Sequence, residues 1–597
     1  MPEMNLTSSE KCAAAETLMG KGQFEDAEYL LDQVLDSHPQ DVTALNAKSG
    51  LLARTGKIAD AKHLLQVAHE IDPESPAVLT NLANLALLEN RTSDALEFLK
   101  QANNADPDYL AAVLLRGQVH NFAGERSAAA EWLTKASELA PGDADVLAAC
   151  GKFELEQQKF AEALAMFEKA LELRPDNVAA LTGMSRLRCM TGEFSLAGEL
   201  AKKAHLQAPQ NADVTAGLAQ IYLLSGALSE AQKLTDRIKK RYADYAPVVV
   251  LDAEIAIARG ETARALADCA AWLRKAPQDQ SRLLAFLKLL KSAGNWEQLL
   301  AMCEKLPSDL QSSDPVASLR EEALLARGRV EESWRSWSTR RALPVERPTS
   351  PVKVALPPYA PLPDELVLMR FANTWAGSGP VELSGKTPLR SVWERLECAA
   401  KLQWQTEVQE EQPDLLADLC ARTILHAPEK TPFTPYLAPD PVRRAVWDAA
   451  LPKDRGLRIG VFWQARPPGL LIDHLQDILS DLNIVPVSLQ FDDSRHQLRT
   501  WPGVLDAGKA LESLGDLVNL IDCLDMVVGP DGVPLHIAGA LGRPGIALLQ
   551  ENHEWYWAGD GTSSLWYPSV KRIVSPVGPD WAAAKPALRA ALEFKDA

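Results

Sequence analysis

A period of 34 residues organises the first half of the chain. Proline recurs at this spacing, at Pro39, Pro73, Pro107, Pro141, Pro175 and Pro209. An alanine precedes each proline by twelve residues, at Ala27, Ala61, Ala95, Ala129, Ala163 and Ala197. A turn residue precedes each alanine by five, at Gly22, Gly56, Asn90, Gly124, Gln158 and Gly192. Three residue types that share one period predict a stack of similar structural units.

Each unit is predicted to form two amphipathic helices. Between residues 76 and 107, apolar side chains recur at i, i+3 and i+4 on both sides of the polar segment 89–91. A turn glycine in the left-handed conformation ends the first helix, the alanine allows a close helix crossing, and the proline ends the second helix. This pattern resembles the tetratricopeptide repeat, which implies an α-solenoid built as a tetratricopeptide superhelix.

The pattern weakens towards the middle of the chain. Turn glycines continue in phase at Gly226, Gly260, Gly294 and Gly328. The alanine position, however, becomes Leu299 and then Ser333. We therefore expect about ten repeats over residues 1–343, the last two degenerate, as at a solenoid end or a domain junction.

One polar position recurs six residues before each turn residue. It is occupied by Asn84, Gln118, Lys152, Arg186 and Gln220 in the middle repeats. In tetratricopeptide arrays this position lines the concave groove. The pattern is compatible with a solvated helix face or with a groove that binds an acceptor peptide or a partner helix. The mixed charge argues against a groove tuned to one strongly charged peptide.

Composition excludes several classes of partner. A net charge of −18 argues against binding to nucleic acid or to an anionic membrane. The eight cysteines form no CxxC motif and no Cys/His cluster, which fits reduced thiols and argues against a zinc site. We expect no secretory signal at the N-terminus and no membrane span, because no basic segment with a long apolar run is present. The expected compartment is the cytoplasm.

The second half has a different character. Seven prolines in residues 344–363 predict an extended linker between domains. We divide the remainder into an N-terminal lobe over 364–455 and a C-terminal lobe over 456–597. In the latter, strands predicted at 456–463, 483–490, 525–529 and 544–549 alternate with helices at 515–524 and 534–541. This alternation predicts an α/β domain with a parallel sheet of Rossmann type, whose ligands bind beyond the carboxyl ends of the strands.

The segment 525–549, DMVVGPDGVPLHIAGALGRPGIALL, is the most informative part of this lobe. A predicted strand runs through Gly529 to Gly532 directly into a helix that begins at Val533 and Pro534. Proline suits the first helical turn, and the free N–H groups at a helix start form a site for phosphate. Asp531 is expected either to cap this helix or to bind a sugar hydroxyl.

This segment resembles the donor-binding motif of the lipopolysaccharide heptosyltransferases and related GT-B glycosyltransferases. The segments RIGVFWQAR at 458–466, SLQ at 488–490, WYW at 555–557 and SLWYP at 564–568 carry the resemblance further. It implies a GT-B fold whose donor-binding residues are Trp463, Gln464, Arg466, Ser488, Gln490, Asp531, Gly532, Val533 and His536. Gly532 stands where the family has threonine, which removes one hydroxyl donor to the phosphate.

The whole architecture resembles the bacterial flagellin glycosyltransferases of the FlmG type. The resemblance implies that the array binds flagellin. It also implies that the GT-B domain transfers a nonulosonic, pseudaminic-type sugar from a CMP-activated donor to Ser or Thr. No DxD motif stands out in the second half of the chain, so no metal is expected. The alternative is a non-catalytic scaffold or flagellin chaperone with a degenerate GT-B domain.

The general base stays open. In the heptosyltransferases an aspartate near the start of the N-terminal lobe has this role, and the strand predicted at 365–370 offers none. The remaining candidates are Asp531, His536, Asp473, His474 and His496, or a group of the acceptor protein.

Overall fold

The computed structural model describes most of the chain. The described residues are 6–20, 22–89, 91–123, 125–157, 159–190, 193–344, 351–356, 362–385, 387–405, 414–426, 435–453, 456–463, 470–480, 482–491, 493–559, 562–575, 581 and 584–593. The chain divides into two compact units, Met1–Leu218 and Ala219–Ala597. Within the described ranges, each helix is too short or too polar to cross a bilayer.

The elements that the structure describes in residues 6–340 are all helices. They are α1 (Ser8–Gly20), α2 (Phe24–Ser37), α3 (Val42–Arg54), α4 (Ile58–Ile71), α5 (Pro76–Leu88), α6 (Thr92–Ala105), α7 (Leu110–Phe122), α8 (Arg126–Leu139), α9 (Ala144–Glu156), α10 (Phe160–Leu173), α11 (Val178–Met190), α12 (Phe194–Gln207), α13 (Ala212–Leu224), α14 (Leu228–Lys239), α15 (Ala246–Ala258), α16 (Thr262–Lys275), α17 (Gln280–Ser292), α18 (Trp296–Cys303), α19 (Ser308–Gln311), α20 (Asp314–Ala326) and α21 (Val330–Arg340). Apart from the short α19, they pair into ten repeats, and the α-solenoid prediction is confirmed.

Side-chain size explains why the period produces this packing. All six alanines of the period are fully buried, as the close helix crossing requires. The residue directly before the recurring polar position is also small, and in two repeats it is Gly117 and Gly151. A Cβ atom on Gly117 would lie 2.9 Å from Leu133, and one on Gly151 would lie 2.8 Å from Phe167. The second helix of a repeat therefore inserts a large side chain where the first helix has none.

The turn glycines adopt the conformation that their spacing predicts. Gly22 and Gly56 have φ angles of 74° and 84°, and Gly294 and Gly328 have 67° and 74°. These left-handed values suit glycine, which has no Cβ to clash with the backbone. Asn90, Gly124, Gln158 and Gly192 lie outside the described residues.

Unit 1 has a series of small cores instead of one large core. Five clusters follow each other along the chain, over residues 12–51, 45–85, 79–119, 113–153 and 144–214. Each cluster joins neighbouring helices only. The unit therefore has the nearest-neighbour organisation of a repeat protein.

The first lobe of unit 2 has a parallel sheet of four strands in the order β3-β2-β1-β4. The strands are β1 (Val352–Ala355), β2 (Val381–Ser384), β3 (Leu402–Gln405) and β4 (Asp414–Leu415), with helices α22 (Leu362–Leu368), α23 (Ala372–Ala376), α24 (Arg390–Trp393) and α25 (Leu416–His426).

Two expectations for this lobe were wrong. The predicted linker over 344–363 contains β1, which pairs with β2 and β4 and buries Val352 and Val354. β-Branched alternation outweighs the surrounding prolines there. The strand predicted at 365–370 is instead the end of α22 and the start of a 3₁₀ helix, Met369–Phe371. Pro363 and two acidic residues in the first turn favour a helix start at this point.

The second lobe has a six-stranded parallel sheet in the order β10-β9-β8-β5-β6-β7. Its elements are α26 (Pro441–Ala450), β5 (Leu457–Val461), α27 (Ile472–Leu479), β6 (Ile484–Ser488), β7 (Leu505–Asp506), α28 (Leu514–Asp522), β8 (Met526–Gly529), α29 (Val533–Ala540), β9 (Gly545–Gln550), β10 (Val570–Ser575) and α30 (Ala584–Glu593). β5 is central in this sheet. β6 and β7 follow on one side of it, and β8, β9 and β10 follow on the other. This is the Rossmann order, and it confirms the predicted α/β class.

The last three repeats are part of unit 2 and share its main core. One apolar cluster runs from Ala253 in α15 to Val570 in β10 and includes residues of α17, α20 and both sheets. A buried carboxylate adds a polar link between α21 and α25. Asp418 accepts hydrogen bonds from Trp337 Nε1 at 2.8 Å and from Arg341 Nε and Nη2 at 2.7 and 3.0 Å. These repeats therefore form a structural part of the second unit.

Candidate functional site

The candidate site lies where the strand order of the second sheet reverses. β5 pairs with β6 on one side and with β8 on the other, so a crevice is expected at the carboxyl ends of β5 and β8. β8 ends at Gly529, and α29 begins four residues later. Asp531, Gly532 and Val533 are only partly buried, so the start of α29 remains accessible. Its free N–H groups and its dipole favour an anion there.

Two glycines allow this loop to pass over the end of β5. A Cβ atom on Gly529 would lie 2.3 Å from the ring of Phe462, and one on Gly532 would lie 2.7 Å from it. The φ angle of Gly532 is 170°, an extended value open to any residue, so the constraint is space and not backbone strain. The missing threonine hydroxyl at residue 532 thus has a steric reason, because the Phe462 ring takes up the room.

Asp531 is held from two sides. Its Oδ2 accepts a hydrogen bond from the Tyr556 hydroxyl at 3.0 Å, and its Oδ1 lies 3.4 Å from His536 Nε2. About 28 % of its side chain remains exposed. The carboxylate is therefore oriented by the protein and still open to a ligand.

His536 is completely buried in an aromatic cage. Its ring lies 4.8 Å from Tyr556, 4.9 Å from Trp557 and 5.4 Å from Tyr567, measured between ring centroids. Its Nδ1 lies 3.1 Å from the Tyr567 hydroxyl. If Nε2 carries the proton towards Asp531, Nδ1 is the acceptor for Tyr567. His536 thus reaches the predicted phosphate site through Asp531. Its direct contact with the nucleotide-sugar donor stays a prediction.

The charges around this loop keep Asp531 ionised. Burial acts to raise the pKa of Asp531, but the hydrogen bonds from His536 and Tyr556 and the electrostatic interaction with the His536 ring outweigh it, and the pKa is lowered. Burial raises the pKa of the Tyr556 phenol far above its usual value, and the charges of Asp531, Glu554 and Asp364 add to this. Tyr556 therefore remains a hydrogen-bond donor to Asp531.

Sequence reasoning missed two carboxyl groups beside Tyr556. Burial raises the pKa of Asp364 to about 7, helped by the charge of Glu554 and opposed by a hydrogen bond to Trp555. Burial also raises the pKa of Glu554, while the Lys291 charge opposes that shift. The strand predicted at 365–370 leaves out Asp364, which directly precedes it in the sequence. An acidic residue in the first turn after Pro363 was the available signal.

The other residues predicted to bind the nucleotide-sugar donor lie at the ends of β5 and β6. Trp463 is 2 % exposed and packs in an apolar core, and its role in donor binding stays a prediction. Its indole donates to Gln497 Oε1 at 2.9 Å. Ser488 and Gln490 are also buried, and Gln490 Oε1 accepts from the Trp463 backbone N–H at 3.1 Å. Gln490 thus fixes the backbone just after β5. Gln464 and Arg466 lie outside the described residues.

The alternative base candidates lie on other elements. Asp473 is exposed in the first turn of α27, and Nδ1 of the neighbouring His474 accepts a hydrogen bond from the Leu471 N–H at 3.2 Å. His496 is exposed in the 3₁₀ helix Asp493–Thr500. The cluster of Asp531, Tyr556 and His536 includes none of these three. In the part of the chain that the structure describes, no group of three or more His, Cys, Asp or Glu side chains is placed to hold a metal.

A second candidate site is a groove in unit 1, with a volume of about 900 Å³. Three of the predicted groove residues, Gln118, Lys152 and Arg186, line it. Asn84 is exposed on α5 but is not part of this lining, and Gln220 belongs to unit 2, where it hydrogen-bonds Glu254. The lining carries both signs of charge together with several amides, which include Asn121, Asn177, Gln207 and Asn211.

Comparison with known families agrees with the two-part architecture. Tetratricopeptide-repeat models match residues 12–76, 52–115, 86–153, 154–199 and 191–249. A model described as glycosyltransferase family 9 (heptosyltransferase) matches residues 507–571, which include β8, α29, β9 and the aromatic cage. The chain thus combines tetratricopeptide repeats with a heptosyltransferase-like domain, which supports a glycosyltransferase that contains such repeats.

Individual relatives are more distant. Protein FlbA of Caulobacter vibrioides is 29 % identical over 159 residues, which are 24 % of this chain and 26 % of FlbA. The chain thus spans about a quarter of the length of that relative. Among solved structures, the APC/C hetero-tetramer Cut9–Hcn1 is similar with a TM-score of 0.41 and 15 % identity, covering 49 % of this chain and 57 % of that one. A tetratricopeptide repeat protein from Parabacteroides merdae has a TM-score of 0.31 and 21 % identity, covering 42 % and 98 %.

Proposed function

We propose that this protein is a protein O-glycosyltransferase that selects its acceptor through the repeat groove. The acceptor is flagellin, and the donor is a CMP-activated nonulosonic sugar of the pseudaminic type, transferred to Ser or Thr. The family-9 match supports the transferase, and the repeats support a protein acceptor. Flagellin and the donor rest on the resemblance of the whole architecture to flagellin glycosyltransferases.

The observation that carries the proposal is the accessible start of α29 beside an ionised, oriented Asp531. Its helix N–H groups suit the phosphate of a nucleotide sugar, and they stabilise the charge that develops as this leaving group departs. Asp531 is placed beside that phosphate and is available to a sugar hydroxyl. This arrangement needs no metal.

Asp364 is our candidate for the general base. Its carboxyl group lies in the same cluster as Tyr556 and Glu554, and its pKa of about 7 matches what proton abstraction near neutral pH requires. The transfer rate should therefore rise with pH and level off above about 7. Asp364→Asn should remove this rise, and a pH–rate profile unchanged in Asp364→Asn would assign the base elsewhere.

The decisive experiment follows acceptor mass and nucleotide binding together. Purified flagellin is incubated with the protein and a CMP-activated nonulosonic sugar, and intact-mass spectrometry detects the added sugar. Calorimetry with CMP, ADP and UDP tests the nucleotide preference. Asp531→Asn should slow the appearance of the mass shift by about 100-fold, while substitution of Asp477 by Asn, at an exposed carboxylate on α27 paired with Lys585, should leave it intact. Normal transfer by Asp531→Asn would contradict the site.

One observation favours a second candidate, a scaffold whose transferase domain has lost activity. Gly532 provides no hydroxyl, and the Phe462 ring occupies the space where one would be. A scaffold would bind flagellin through unit 1 and would bind none of the three nucleotides. Measurable nucleotide binding by the wild-type chain would reject this candidate.

A further inference from the structure

The turn between α17 and α18 contacts a loop of the candidate transferase site. Asn552 Nδ2 donates a hydrogen bond to the Ser292 carbonyl oxygen at 3.0 Å. Gly294 lies against the same loop, since a Cβ atom added to it would be 2.4 Å from the Glu551 carbonyl oxygen. Both contacts are made by the ninth repeat, within unit 2. They fix residues 551 and 552, directly after β9.

This loop continues into the residues that hold Asp531. A short 3₁₀ helix, Trp555–Trp557, follows within three residues of Asn552. It presents the Tyr556 hydroxyl to Asp531 and places the Trp557 ring against His536. A displacement of residues 551–552 would therefore move the donor of the hydrogen bond that orients Asp531.

The ninth repeat also contributes charge at this point. Lys291, next to the turn, forms an ion pair with Glu322 of the tenth repeat. Burial acts to lower the pKa of Lys291, but Glu322, Glu554 and Asp364 outweigh it and raise that pKa. The ammonium group therefore persists and offsets the carboxyl groups beside Tyr556.

We propose that residues 291–295, the end of α17 and the turn of the ninth repeat that follows it, are a positioning element of the transferase site. It holds the loop 551–557 and, through Tyr556, the carboxylate of Asp531. The repeats thus have two separate tasks: unit 1 binds the acceptor, and the ninth repeat keeps the site in order. The catalytic half of this inference rests on the proposed function, but the structural half does not.

The chain supplies a matched pair of variants for the test. Gly294 and Gly328 are turn glycines of successive repeats with similar positive φ angles, so alanine imposes comparable backbone strain at either. Around Gly328, however, no atom lies within 4 Å of an added Cβ. In the full-length protein, Gly294→Ala should speed amide hydrogen exchange in residues 551–557 by about 10-fold, and Gly328→Ala should not. Equal exchange of this loop in the two variants would overturn the proposal.

A second variant and a kinetic measurement guard against misfolding of Gly294→Ala. Asn552→Ala removes the hydrogen bond to Ser292 without straining a turn, and it should speed exchange in the same loop. With flagellin and the CMP-activated sugar, both variants should lower kcat while the KM for flagellin stays unchanged. A raised flagellin KM at unchanged kcat would contradict a positioning role. If even the wild-type protein transfers no sugar, the proposed function fails, and the exchange experiment still decides the structural claim.

Discussion

The same 34-residue motif is used in two ways along this chain. In unit 1, each repeat packs on its neighbours only, and the apolar clusters are small and successive. In unit 2, the last three repeats join one core that extends through both sheets. The difference shows that the motif specifies the local helix pair, while side chains outside the motif decide what the pair packs against. Leu299 and Ser333 replace the alanine in the ninth and tenth repeats, which pack into the core of unit 2.

The largest effect should come from paired core truncations, one in each unit. Phe167 is fully buried and faces Gly151 and Gly183, so Phe167→Ala leaves a cavity that glycine cannot fill. It should lower the free energy of unfolding by about 4 kcal/mol, and exchange should rise only in α9–α12. The matched Phe371→Ala should raise exchange throughout the unit 2 core. Spread of the Phe167→Ala effect over all of unit 1 would refute the local picture.

The next effect concerns chemistry in unit 2 alone. Asp531→Asn keeps the size of the side chain but removes its charge, and transfer should fall by about 100-fold. Flagellin affinity, measured by calorimetry, should stay at the wild-type value because the groove lies in unit 1. A parallel loss of flagellin binding would mean that the two sites are not separate.

The polar link between α21 and α25 should matter somewhat less. Asp418→Ala leaves the Trp337 indole and the half-exposed Arg341 without their acceptor. We expect unit 2 to lose about 2 kcal/mol in urea unfolding. Exchange in α1–α12 should not change, and an effect there would weaken the division into two units.

A smaller effect is expected in the groove. The double variant Lys152→Ala and Arg186→Ala removes two exposed cations of the lining and should weaken flagellin binding by about 10-fold. At saturating flagellin, kcat should be unchanged. Affinity equal to that of the wild type would show that these polar positions are simply solvated.

The smallest effect is a pH dependence of stability. The folded pKa of Asp364, about 7, exceeds the unfolded value of about 4, so the folded state retains a proton that the unfolded chain has released between these values. This carboxyl group therefore lowers the free energy of unfolding as pH rises from 4 to 7. Asp364→Asn should gain about 1 kcal/mol over the wild type at pH 6 relative to pH 5, in urea titrations. A gain in the opposite direction would contradict the raised pKa.

The sequence made the repeated and the strongly patterned parts predictable. The buried alanines, the positive φ angles of the turn glycines, and the strands and helix around 525–549 all follow from local rules that the structure obeys. β1 was not predictable from composition, because the many prolines around it signal a linker and outnumber the two alternating valines, Val352 and Val354, that favour a strand.

Long-range contacts set the limit for the site. The motif placed Asp531 at the start of a helix, as observed. It did not show that Tyr556 and His536 hold that carboxylate, nor that Phe462 requires Gly532, since these partners lie up to 70 residues away. Asp364 and the turn of the ninth repeat belong to this set as well, because only the fold brings them near Tyr556.

The shared core of unit 2 has a consequence for synthesis on the ribosome. The first six repeats can fold as they emerge, because the clusters they need are complete once Val214 has been translated. The last three cannot complete their core until β10 at Val570–Ser575 has been translated. At typical elongation rates that wait is on the order of tens of seconds, during which Leu324 and Trp334 have no finished core to enter. Nascent chains of this length are where we expect chaperones to bind.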